Sequence, residues 1–149
     1  MDDKQSKSGE PGEPEQLERG LQRRLVLVVD DDPDLRDYVR QVLELAGFRV
    51  KTASNGTRAL EALAHEVPDV VLLDMKMPGL SGEEVLDLLA RIQGHPPIVI
   101  MTAADTARDR ALEHHNPYYL PKPFDPTLLL ATIETALEGP GEPEREFDA

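Results

Sequence analysis

Four short stretches of this sequence end in side chains that could take part in a single reaction. Asp30 and Asp31 follow Leu25-Val26-Leu27-Val28-Val29, and Asp74 follows Val70-Val71-Leu72-Leu73. Thr102 follows Ile98-Val99-Ile100-Met101, and Lys122 sits between Pro121 and Pro123. Brought together, the carboxylates would repel one another and stay ionised at neutral pH only beside a compensating cation. A hard divalent ion that takes oxygen ligands and keeps some of its water, Mg²⁺ first, suits such a set. A carboxylate beside that ion, an ammonium and a hydroxyl is equipped for phosphoryl transfer onto the carboxylate. Asp74 would attack in line, the metal and Lys122 would neutralise the equatorial phosphoryl oxygens, and Thr102 would donate a hydrogen bond to one of them. The ordinary alternative for Asp74 is a residue ending a strand ahead of the Pro78-Gly79 turn.

Whether these groups converge depends on the elements that carry them. Val70 to Leu73 is a continuous apolar run with two β-branched members, which fits a strand buried on both faces and stopped by Pro78-Gly79. Leu25 to Val29 reads the same way. Leu35, Tyr38, Val39, Val42, Leu43 and Ala46 recur at helical spacing, with Asp32 as N-cap, Pro33 in the first helical position and Gly47 just past the end. Asp32 is therefore expected to cap a helix rather than hold a metal.

Phe48 to Ala53 alternates as a strand, and Ala59, Leu60, Leu63 and Ala64 follow as a helix closed by Pro68. Ser81-Gly82-Glu83-Glu84 forms a capping box for a helix whose apolar residues are Val85, Leu88, Leu89 and Ile92. Pro97 to Thr102 is the fourth strand. A short helix from about Thr106 to His114 stops at Asn116-Pro117, and Tyr118 to Pro121 is the fifth strand. Asp125 and Pro126 open a last helix carrying Leu129, Leu130, Ile133 and Leu137. The alternation predicts an α/β fold with a doubly wound five-stranded parallel sheet. In strand order 2-1-3-4-5, strands one and three are neighbours at the switch point, so Asp30, Asp31 and Asp74 come within a few ångströms.

The 149 residues leave room for one globular domain, expected over residues 25–138. Residues 1–24 and 139–149 are rich in Gly, Pro, Ser and Glu and are expected to be a disordered leader and a disordered acidic tail. There is no Cys, which removes disulfides and thiol chemistry. No apolar run approaches a membrane span and no secretory signal is visible, so a cytoplasmic protein is the default. A formal charge of -13 argues against unaided nucleic-acid binding, which needs clustered Lys and Arg. His65, His95, His114 and His115 are expected to be exposed.

In order along the chain stand Val-Val-Asp-Asp-Asp-Pro, Leu-Leu-Asp-Met-Lys-Met-Pro-Gly, Ile-Met-Thr-Ala and Pro-Lys-Pro-Phe. Over residues 25–138 this resembles the response-regulator receiver domains of two-component signalling, a flavodoxin-like (βα)5 fold. The resemblance implies that Asp74 is the phosphoacceptor, supplied by a histidine kinase or a histidine phosphotransfer protein. It implies Mg²⁺ held by the side chains of Asp31 and Asp74, the backbone carbonyl of Lys76, and Asp30 through water. Lys122 would bind the phosphoryl group ahead of a cis peptide at Pro123. Thr102 and Tyr119 would form a switch pair biasing the face of helix four, strand five and helix five toward a downstream protein target. Lys76 and Ala104 occupy positions that tune dephosphorylation in the family, and an Ala cannot orient water, which implies slow self-hydrolysis.

Between Thr102 and Lys122 the chain is about two residues shorter than usual, with Asn116-Pro117 where the family has Gly-Ala, so helix four is expected to be truncated or re-angled. No output segment follows the last helix, which gives the expectation of a stand-alone receiver whose only catalysis is of its own phosphorylation and dephosphorylation. A dehalogenase-like phosphohydrolase also uses a strand-end Asp and Mg²⁺. It carries its nucleophile after the first strand in an Asp-x-Asp pattern and needs a cap segment; here Asp32 precedes Pro33 without the usual Thr or Val, and no cap segment is seen. A phosphorylation-independent scaffold is the third reading, and flavin binding lacks its Ser/Thr-rich phosphate loop.

Overall fold

The computed structural model describes residues 24–103 and 105–139. The leader over 1–23, the tail over 140–149 and Ala104 lie outside the described residues. Ten elements alternate: β1 (Leu25–Val29), α1 (Pro33–Leu45), β2 (Arg49–Ala53), α2 (Gly56–His65), β3 (Val70–Asp74), α3 (Gly82–Ala90), β4 (Ile98–Ala103), α4 (Ala107–Glu113), β5 (Tyr118–Lys122) and α5 (Pro126–Glu138). The strands form one parallel sheet in the order β2-β1-β3-β4-β5, the order expected from the sequence.

Every residue of β1 and β3 is buried, because these central strands have helices on both faces. Strand alternation sorts their side chains into two cores. Leu27, Val29, Val71, Leu73, Ile98 and Ile100 pack with residues of α2 and α3, while Val26, Val28, Leu72, Met101, Leu129 and Ile133 pack on the other face with α1 and α5. The edge strands differ in kind. Arg49 and Lys51 on β2 and Pro121 in β5 discourage pairing with a further strand.

The helix ends follow the sequence signals. The Asp32 carboxylate accepts from the N–H groups of Asp34 and Leu35, Ser81 and Glu84 cap each other's backbone, and Asp125 accepts from the Leu128 N–H. Such caps each contribute about 1 kcal/mol. Gly47 takes φ 101°, the left-handed turn that lets the chain leave α1 and enter β2.

Three expectations need correction. On α3, Leu88 and Ile92 are 41% and 55% exposed, and Leu86 is buried instead. The helix ends at Ala90, so Ile92 lies beyond it, and Val85, Leu86 and Leu89 form the inward stripe. His114 is not exposed but half-buried, with Nδ1 3.7 Å from Asp87 and Nε2 4.0 Å from Glu83. The fifth strand runs one residue further than expected, to Lys122.

Helix α4 is short, seven residues, and its start at Thr106 has no side-chain cap. Its exit is a tight turn. His115 takes φ 54°, unusual for a residue with a Cβ, and the Asn116 N–H returns to the Ala111 carbonyl at 2.8 Å. The Asn116 Nδ2 then donates to the carbonyls of Ile98 and Tyr118, 2.7 and 2.8 Å away, which ties the starts of β4 and β5 together. At this amino edge of the sheet a cavity of about 420 Å³ is lined by Arg24, Asp69, Pro97, Tyr118, Leu137 and Gly139.

Candidate functional site

The opposite, carboxyl edge of the sheet gathers the polar residues. Asp30 follows β1, Asp74 is the last residue of β3, Thr102 is the penultimate residue of β4 and Lys122 ends β5. Because β1 and β3 pair in parallel, with Val29 opposite Leu73, their ends point into the same crevice. One carboxylate oxygen each from Asp30, Asp31 and Asp74 lies within 4.8 Å of the others. Asp30 and Asp74 are 1% and 4% exposed, whereas Asp31 stands open to solvent.

Hydrogen bonds and charges fix this arrangement. Asp30 Oδ1 accepts the Asp32 N–H at 2.9 Å, and its Oδ2 accepts from Lys122 Nζ at 2.7 Å. The same ammonium is 3.6 Å from Asp74 Oδ1, which also accepts the Lys76 N–H at 3.2 Å. Burial and the neighbouring charge of Asp30 push the Asp74 carboxyl up to about 6, despite the opposing pull of Lys122 and the Lys76 N–H. Burial by itself would lower the Lys122 pKa, but its hydrogen bond to Asp30 and the charges of Asp30 and Asp74 raise it above the ordinary lysine value. Lys122 thus faces Asp30 and Asp74, and it is burial first, with the charge of Asp30 added, that pushes Asp74 toward its protonated form.

A divalent cation would offset the negative charge that these carboxylates carry in excess of Lys122. The converging atoms are all carboxylate oxygens, the donor type preferred by Mg²⁺, and two of the three carboxylates keep their orientation through backbone and lysine hydrogen bonds. The residues present fit such an ion.

The remaining expected site residues are placed as follows. Lys76 is exposed on the loop after Asp74. Thr102, 2% exposed, shares the carboxyl edge. Tyr119 is 38% exposed, whereas its neighbour Tyr118 is buried. The Lys122-Pro123 peptide is cis.

Two contributors were not foreseen. At Gly82, the first residue of α3, an added Cβ would collide with the carbonyl oxygen of Asp74 and the Cα of Met75, so α3 sits directly against the end of β3 and the start of the loop after it. The signal available in the sequence was a Gly inside the capping box, at a position where other residues are better helix formers. Arg36 Nη1 donates to the Asp30 carbonyl at 2.7 Å.

Comparison with known proteins agrees with this geometry. The family model described as the response regulator receiver domain matches residues 26–134. Response regulator MprA of Mycobacterium sp. (strain KMS) is 38% identical over 130 residues, covering 82% of this chain and 56% of that protein. The DNA-binding transcriptional regulator NtrC of Escherichia coli (strain K12) is 43% identical over 122 residues, covering 78% of this chain and 25% of its own length. The chain thus spans about half or less of the length of these curated relatives. Among solved structures, a response regulator receiver protein from Burkholderia phymatum superposes with a TM-score of 0.70 at 36% identity, covering 78% of this chain and 96% of its own. The receiver domain of NtrX from Brucella abortus gives 0.70 at 32% identity, covering 77% and 99%. Family match, strand order and converging acids lead to one assignment: the chain belongs to the response regulator receiver domains of two-component signalling.

Proposed function

We propose that Asp74 is a reversible phosphoacceptor and that its occupancy switches the binding of a protein partner. The observation that carries this reading is the convergence of Asp30, Asp31, Asp74 and Lys122 at one buried strand edge, with only Asp74 at the end of the central strand.

Asp30, Asp31, Asp74 and the Lys76 carbonyl are the groups that would hold Mg²⁺, which when bound supplies charge neutralisation for the incoming phosphoryl group. The rest is work for the protein's own residues. A carboxylate oxygen of Asp74 attacks phosphorus, forming the acyl-phosphate P–O bond while the bond from phosphorus to the donor imidazole nitrogen breaks, and the freed imidazole takes up a proton. Lys122, already held by Asp30, sets its ammonium beside the phosphoryl oxygens. Thr102 lies on the neighbouring strand at the same edge and is suited to donate its hydroxyl to one of them. The donor is a histidine kinase or a histidine phosphotransfer protein.

Thr102 and Tyr119 lie on paired strands, with Thr102 opposite Pro121, and we assign them the relay to the face made by α4, β5 and α5. Tyr119 stands partly exposed on that face, where a downstream protein can read its position. The signalling reaction belongs inside the cell, on the cytoplasmic side where such kinases act; among the described residues no helix is long and apolar enough to cross a membrane.

Incubating the protein with a small phosphodonor and Mg²⁺, followed by intact-mass measurement, tests the reading. Wild type should gain one phosphate and Asp74→Ala none. An equal adduct on both proteins refutes the acceptor assignment, and turnover of many phosphate esters would favour a hydrolase.

A further inference from the structure

Asp31 differs from its two acidic neighbours in having an exposed carboxylate. Among the described residues no hydrogen bond or ion pair ends on that carboxylate, so its direction must be set through the backbone that carries it. Both peptide groups flanking Asp31 are gripped. The following one is held where the Asp32 N–H meets Asp30 Oδ1 at 2.9 Å. The preceding one is held where the Asp30 carbonyl accepts from Arg36 Nη1 at 2.7 Å.

Arg36 reaches this carbonyl because helical side chains lean toward the helix N-terminus, and it sits in the first turn of α1 with its own N–H bonded to the Asp32 carbonyl at 3.0 Å. Electrostatically the location is a poor one for a cation. A positive charge at a helix N-terminus opposes the helix dipole, and a guanidinium beside a divalent-cation site repels the ion. What the location does supply is a directed donor onto the one carbonyl that precedes Asp31.

We propose that Arg36 is a positioning residue for the acidic site, locking the Asp30–Asp31 peptide so that the Asp31 carboxylate faces Asp30 and Asp74. The inference rests on the reading of these acids as a Mg²⁺ site, and it makes a sign prediction that a charge argument alone reverses. If Arg36 acted only through its charge, removing it would tighten Mg²⁺ binding. If it acts by position, removing it loosens Asp31 and weakens binding.

Isothermal titration with MgCl₂ on the full chain separates the two. Arg36→Met, which keeps most of the stem but neither charge nor donor, should bind Mg²⁺ on the order of 10-fold more weakly. Arg36→Lys, which keeps a donor, should recover most of the loss. A readout independent of metal is hydrogen exchange at the Asp32 amide in the metal-free protein, which should speed up several-fold in Arg36→Met while amides in the middle of β1 and β3 keep their protection. Equal or tighter Mg²⁺ binding by Arg36→Met overturns the positioning role and leaves the phosphoacceptor reading standing. Failure of the wild type to bind Mg²⁺ at all overturns both.

Discussion

Replacing Asp74 with Asn should make the metal-free protein more stable at neutral pH while abolishing its proposed chemistry. The reason lies in the raised pKa of Asp74, about 6 against an ordinary 3.8. A carboxyl whose folded pKa exceeds its unfolded one lets the folded state bind more protons, so its contribution improves as pH falls from about 6 toward 3.8 and is unfavourable above that window. At pH 7 the ionised group costs about 3 kcal/mol relative to a neutral one, and at pH 5 about 1.5 kcal/mol. Asn has nearly the same shape, carries no charge, and retains an oxygen for the Lys76 N–H that now bonds Asp74 Oδ1.

Urea unfolding followed by circular dichroism, with chelator present, should therefore show Asp74→Asn more stable than wild type by about 2–3 kcal/mol at pH 7, on the order of 10 °C in Tm. The gap should shrink by roughly half at pH 5. Excess Mg²⁺ should narrow or reverse it, because wild type keeps all three carboxylates for the ion. An Asn variant that is less stable at pH 7 without metal, or a gap that does not close on acidification, refutes the account of a carboxylate strained by burial and by the charge of Asp30.

Lys122→Ala should still fold but lose about 1–3 kcal/mol at pH 7 without metal, since the buried Asp30 carboxylate loses its partner while part of the lysine remains in solvent. Because the Lys122 pKa is raised, that contribution is fully present below the ordinary lysine value and disappears only as pH rises through the higher folded value, so urea titrations at pH 7 and pH 9 should give the same difference. Gly82→Ala should cost about 2–4 kcal/mol by urea unfolding, against the gain of about 1 kcal/mol that Ala ordinarily brings to a helix, because its Cβ has no room beside the Asp74 carbonyl. A neutral or stabilising Gly82→Ala would show that α3 can shift away freely.

Much of the architecture is legible in local patterns. The continuous apolar runs of β1 and β3, the Asp32, Ser81 and Asp125 caps, and the Gly47 turn each announce an element or its end, and strand alternation with helices leaves few topologies. The gathering of Asp30, Asp31, Asp74 and Lys122 follows from that topology, since residues at parallel strand ends share one edge. What was not legible depends on packing between elements. A nine-residue helix has too few turns to fix its own phase, so Leu86 and Leu88 could not be ranked until the sheet beneath them was in place. His114 is half-buried beside Glu83 and Asp87 of another helix, a proximity that no local spacing reveals. No local pattern singles out Arg36, because its bond to the Asp30 carbonyl exists only once α1 is placed against the end of β1.

Arg24 and Gly139 both line the cavity at the amino edge of the sheet, so the first strand and the last helix of the described residues begin and finish beside the same cavity. A short Gly-Ser bridge between these two positions would therefore seal the backbone into a ring, with fresh ends cut in the exposed turn over residues 91–95 between α3 and β4. A fluorescent reporter spliced into that bridge would sit across the full height of the sheet from the carboxylates, and could be carried without obstructing whatever docks upon them.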